Sequence, residues 1–394
     1  MKRVILGLVC AGALVAAAYG QNRTNTTQKG SLLIFPLIDV RFDSNYNVIG
    51  DTFIQLTNDW PDDPVHIVTY FVLEEQCIHL KSNFDLTANQ PAYWSMATGK
   101  TLSPVGSGNF VQVHQPVTSI SCAQNGQKNG FLIVFATNSG EQNIRHNHLT
   151  GLATIVDYEK ATAWEYAPYA FQVRGFGNNN GPADPANVDP TPGVMTLDGV
   201  EYDSGLNQLL LEFIAWDSTA FQGETSYTLI HDTELTLMIN DVNVKQDKGE
   251  EWPYETKAVF AIHNQLENSA AFEYCFTCWS SIELSDLGVL FGPNLGTARG
   301  RAQIDGVASP DVCDTPPVPP ISSARALLGT AVKILTFTAG STRVSETLAG
   351  KGSQTAVIKY DAGSPGSEEA GWINGGAMQT GSSGKVTPAG IQKR

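Results

Sequence analysis

His146 and His148 stand two residues apart in the chain. On an extended strand, residues i and i+2 share a face. Both imidazoles would then reach one ion, as in zinc and copper sites. His114 and Asp157 are of the right type to supply a third ligand, but their spacing does not bring either to the pair. The competing reading is two polar residues at a strand start, just after the turn-forming stretch 138–142. Asp43, Asn45 and Asn47 place side-chain oxygens at alternate positions, as at the opening of a calcium loop. Val48 stands where such a loop needs glycine, and no glutamate closes it. A hairpin turn uses the same residues. No cofactor is expected, with calcium at this loop as the alternative.

Cys275-Phe276-Thr277-Cys278 is a C-x-x-C. Redox activity would need the first thiol at a helix N-terminus. The flanks 271–274 and 279–282 read as strand, where i and i+3 face opposite sides. A zinc site would need a second ligand pair. The cysteines are thus expected to be structural. Cys77 with Cys122, and Cys313 with Cys275 or Cys278, are the candidate disulfides.

Glycoside hydrolysis needs two carboxyls about 5–10 Å apart. Glu74, Glu75, Glu165, Glu212, Asp217, Glu250, Glu251 and Glu255 are all available, and that abundance singles out none of them. G-x-S-x-G, H-E-x-x-H and P-loop motifs do not occur. Trp94, Trp164 and Trp252 lie beside turn residues. If exposed, they would stack on sugar rings or anchor a protein partner; if buried, they are ordinary packing.

The elements that must position these residues read as β. The chain has 394 residues, 42% of them apolar and only 16% charged, with 37 Gly and 20 Pro. That composition excludes wholesale disorder and argues against coiled coils. The net charge is −15, and no basic block exists to neutralise phosphates, which excludes nucleic acid as a partner. Residues 157–255 hold 18 acids against 4 bases. This region suits cations or a basic partner surface, including the mildly basic tail of another copy, so self-association is expected.

Residues 1–20 have a basic start, an apolar run and small residues at positions 18 and 20, which reads as a cleaved secretory signal. The protein is then secreted or extracytoplasmic, at the cell surface or in the periplasm, and not integral to the membrane. Residues 21–30 read as a flexible leader. Strands are expected at 32–40, 52–57, 66–73, 110–117, 131–137 and 152–158, with turns between them. Short helices are expected only at 161–170 and 321–328. Residues 173–206 are rich in Gly, Asn and Pro and read as a linker. Residues 361–394 read as a mobile Gly/Ser tail.

Strand grammar returns after 206. The order of strand, Asp-Val, hairpin, strand ending in Asn and aromatic strand occurs around both Asp39-Val40 and Asp241-Val242. A duplication is one explanation, and the shared habits of sandwich strands are another. Leu33-Ile34-Phe35-Pro36, Thr52 to Asn58 and Val65 to Val68 resemble the opening strands of immunoglobulin-like bacterial surface domains. The resemblance covers about forty residues and implies only a fold class.

The expectation is an all-β protein of two immunoglobulin-like antiparallel β-sandwich domains, 31–172 and 207–360. Its expected role is structural or adhesive and non-catalytic, with a protein or a surface polysaccharide as partner. A carbohydrate-binding module and a secreted hydrolase are the alternatives.

Overall fold

A computed structural model describes residues 29–74, 77, 79–101, 127–177, 181, 184–215, 230–245, 255–297, 299–308, 324–337 and 340–362. Residues 1–28, which include the expected signal, and the expected tail from 363 onward lie outside them, as do the strand expected at 110–117, His114, Cys122, Trp252 and Cys313.

The described chain is all β, as its β-branched and aromatic runs require. No α-helix occurs among the described residues, only four short 3-10 turns. Hence no helix among them is long and apolar enough to cross a membrane.

The first nine strands form one antiparallel sheet. They are β1 (Leu32–Phe42), β2 (Val48–Asn58), β3 (Val65–Leu73), β4 (His79–Leu86), β5 (Pro91–Ser95), β6 (Gln127–Thr137), β7 (Leu149–Asp157), β8 (Thr162–Tyr166) and β9 (Tyr169–Phe171). Its order is β4-β3-β6-β1-β2-β7-β8, with β5 on β2 and β9 on β1. Strand β1 pairs β6 along most of its length but meets β2 only at Arg41 and Phe42, across a register shift. The sheet folds over at this joint, which brings β7 onto β1. A Cβ on Gly151 would lie 2.8 Å from the Phe35 ring.

The remaining strands are β10 (Val194–Leu197), β11 (Gln208–Ile214), β12 (Ile230–Ile239), β13 (Val242–Asn243), β14 (Glu255–Asn264), β15 (Ser269–Thr277), β16 (Trp279–Glu283), β17 (Arg299–Ala308), β18 (Ala324–Arg325), β19 (Leu327–Phe337), β20 (Gly340–Thr347), β21 (Ala349–Lys351) and β22 (Ala356–Lys359). A six-stranded sheet runs β15-β14-β17-β11-β21, with β18 on β17. A four-stranded sheet runs β16-β12-β19-β20. Strand β11 packs on β12 and β19, so the two sheets lie face to face. Phe291 fills the space beside Phe213, Phe260 and Phe272, with ring centroids 5.4–5.8 Å apart. A single apolar cluster runs from Leu32 to Tyr360 through all the sheets.

Three expectations need correcting. Residues 161–170 form β8 and β9 rather than a helix: Trp164 and Tyr166 point inward while Ala163 and Glu165 face out, a period of two. The end of the other expected helix is also strand, in β18 and β19. In the 173–206 segment, β10 ladders with β22, and Met195, Leu197, Tyr202 and Asp203 are buried. The repeated strand order does not carry over to pairing. Strand β14 pairs β15, whereas β2 and β3 share no ladder. Strand β7 pairs β2, whereas β19 sits in a different sheet from β14.

Candidate functional site

His146 and His148 lie in the turn before β7, not on a strand, yet their rings meet edge to face with centroids 5.5 Å apart. The backbone N–H of His146 donates to Ser31 Oγ at 2.7 Å, which pulls its ring into the core. His146 Nε2 donates to Asn58 Oδ1 at 2.9 Å, since that oxygen can only accept. His148 Nδ1 contacts Asp59 Oδ1 at 3.1 Å, and its ring packs on Trp60. Burial, with the neighbouring His148, pushes His146 down to about 3. Burial and Lys29 also lower His148. Asp157, one proposed third ligand, pairs with Arg41 at 3.0 Å. No set of three or more metal-ligating side chains occurs among the described residues. His146 is buried and hydrogen-bonded to Asn58, whereas His148 is partly exposed between Asp59 and Trp60.

The Asp43 loop is a hairpin turn. Asp43 Oδ1 accepts from the backbone N–H groups of Asn45 and Asn47 at 2.7 and 2.8 Å. Its Oδ2 accepts from Asn47 Nδ2 at 2.8 Å. The loop's own donors thus take up both Asp43 carboxylate oxygens, and Tyr46 turns the corner at φ 62°.

Trp94 is fully buried, edge-on to Phe84. Trp164 is 5% exposed and capped by the Arg343 guanidinium 4.7 Å above its ring. These two rings cannot serve as sugar platforms, because tertiary packing covers both faces that the sequence leaves open.

One cysteine pair differs from those the sequence offers. Cys77, just after β3, is bonded to Cys278, between β15 and β16, with Cα atoms 6.2 Å apart and a sequence separation of 201. Cys77–Cys122 and Cys278–Cys313 are thereby excluded. Cys275 is disulfide-bonded as well. With Cys77 and Cys278 paired to each other, its partner lies outside the described residues.

That bridge belongs to a joint between the first sheet and the later ones. Trp279 Nε1 donates to Pro36 O at 2.6 Å, beside the disulfide. The Tyr169 hydroxyl donates to the carbonyls of Gly329 and Leu348, at 2.9 and 2.7 Å. Ser345 and Thr347 on β20 donate to the carbonyls of Glu165 and Ala167, so two sheet edges cap one another through hydroxyls. Asp39 sits in this joint. Burial, opposed by Arg41 at 3.2 Å, raises it to about 6. Opposite it, Glu234 holds Arg343 at 3.1 Å.

A second buried cluster pins the 184–205 segment. Tyr360 donates to Asn143 Oδ1 at 2.6 Å, and Asn143 Nδ2 donates to Asp189 Oδ2 at 2.5 Å. Asp189 Oδ1 accepts from the Thr191 N–H at 2.8 Å. Glu201 shares a hydrogen bond with Asp189. Burial and this neighbour raise Glu201 to about 7, against the Thr196 N–H that lowers it.

On the surface, a cleft of about 410 Å³ opens over β11, β14 and β17, with Lys333 reaching in from β19. Glu212, Arg301 and His263 are cross-strand partners in its floor. Arg299, two residues from Arg301, shares its face of β17. Gly300 between them leaves room for the Phe213 ring, which a Cβ there would approach to 2.4 Å. Sequence reasoning picked out Glu212 only as one carboxylate among many. The Arg-Gly-Arg alternation was the available signal for the rest.

No family model matches the chain, and no curated protein matches it. Among solved structures, the CupB6 tip adhesin of Pseudomonas aeruginosa aligns over 84% of this chain and 94% of its own, at 8% identity and a TM-score of 0.11. A likeness at that level carries no structural weight.

Proposed function

We propose that this is a secreted or cell-surface β-sandwich protein with a structural or adhesive, non-catalytic role. The Cys77–Cys278 bridge carries the reading. A cross-link over 201 residues persists only where thiols are oxidised. It also locks β3 to the β15–β16 corner, so the sheets bear load as one body. The sheet edge offers the means of contact: among the described residues β15 pairs only with β14, which makes it an edge strand of that sheet. Polysaccharide binding is the second reading. The charged cleft favours it, and the buried Trp94 and Trp164 do not.

Fractionation with chemical crosslinking in the native cell tests the role. The expected result is a surface or envelope fraction carrying the protein in crosslinked adducts, with faster non-reducing gel mobility than the reduced form. Recovery of a reduced monomer in the cytosol would overturn the reading.

A further inference from the structure

The β11–β17–β14 cleft sets Arg299, Arg301 and Lys333 against Glu212 and Glu267 in one cavity, on a chain that carries −15 overall. Arg299 is exposed, and among the described residues its guanidinium makes no ion pair or hydrogen bond. Arg301 is aimed rather than free: its Nη2 donates to both Glu267 oxygens, at 2.8 and 2.6 Å, which leaves Nε and Nη1 for other contacts. Lys333 is steadied by Glu346 at 3.0 Å. Glu212, the cross-strand neighbour of Arg301, is exposed and has no side-chain partner among the described residues.

These groups define the chemistry of a ligand. Two arginines on one strand face match a carboxylate, which guanidinium forks hold in a plane. Glu212 and Glu267 repel a phosphate-dense ligand but accept hydrogen bonds from hydroxyls. A neutral sugar would leave the cations unused. The cavity size falls in the range of sites for small polar molecules. We propose that the cleft binds a carboxylated sugar unit of a surface polysaccharide, with Arg299 and Arg301 on the carboxylate and Glu212 on ring hydroxyls. This rests on the adhesive reading above and names its ligand class.

Titration calorimetry of the full chain with galacturonate, galactose and polygalacturonate tests the site. Galacturonate and its polymer are expected to bind, and galactose is not. R299Q should weaken both acids tenfold or more while its unfolding midpoint matches wild type, because Arg299 supports no other described group. E212Q should weaken galacturonate without restoring galactose. Absence of galacturonate binding, or equal binding by R299Q, would overturn the proposal. So would polymer binding that R299Q leaves unchanged and high salt abolishes, since that is diffuse charge attraction. A surface-located protein that ignores galacturonate loses only this site, whereas a cytosolic one that binds it loses the adhesive role.

Discussion

Glu201→Gln isolates one buried proton. In the native state Glu201 shares a hydrogen bond with Asp189, whose oxygens already accept from Asn143 and Thr191. Only a protonated Glu201 can donate to it. Its ordinary value of 4.5 rises to about 7. The native state therefore keeps a proton that the unfolded chain releases, and stability falls as pH climbs from about 4.5 through 7. At roughly 1.4 kcal/mol per decade the loss has a ceiling of about 3 kcal/mol; partial solvent exposure of Glu201 brings it to about 2 kcal/mol. A glutamine donates to Asp189 and accepts from the Thr196 N–H at every pH. Urea unfolding of both proteins at pH 4.5, 6 and 8 reads the effect. The variant should match wild type within about 0.5 kcal/mol at the lowest pH and exceed it by about 2 kcal/mol at the highest. Taking the difference cancels the parallel contribution of Asp39, which rises to about 6. Identical pH slopes in the two proteins would refute a shared proton.

Cys278→Ser opens a loop of 201 residues and should cost about 2–5 kcal/mol, seen as a lower thermal midpoint that reductant no longer shifts at this bridge. Tyr169→Phe takes the hydroxyl from the Leu348 carbonyl and the Gly329 N–H, while the Gly329 carbonyl keeps the Leu348 N–H; a loss of about 1–3 kcal/mol is expected in denaturant titration, with little change in far-UV signal. Gly300→Ala forces a methyl into the Phe213 ring and should cost about 1–3 kcal/mol of stability, whereas the exposed Arg299→Ala should cost less than about 0.5 kcal/mol.

Strands were the most legible part of the chain. The runs at 32–40, 52–57, 66–73, 131–137 and 152–158 fall on β1, β2, β3, β6 and β7, because alternation and β-branching act locally. Strands β4 and β5 escape the sequence reading, since His79–Leu86 is largely polar and Pro91–Ser95 is only five residues long, and both take their conformation from the neighbours β3 and β2. Residues 161–170 looked helical because their alanines suit a helix, but the ladder with β7 overrides that preference.

What the sequence determined by itself was class and chemistry: an all-β chain, acidic, with cysteines suited to structural bridges and a loop at Asp43 that turns. These follow from composition and from contacts a few residues apart. Tertiary structure decided everything that spans the chain. It paired Cys77 with Cys278, hung Trp279 on Pro36, sealed Trp94 and Trp164 inside, and set His146 and His148 among core partners. It also brought Arg299 and Arg301 beside Glu212. The pairings of Cys77 with Cys278, Trp279 with Pro36 and His146 with Asn58 span 201, 243 and 88 positions, and a local pattern cannot rank one distant partner above another. Only the closing of sheet on sheet does that, by choosing which side chains lose water together.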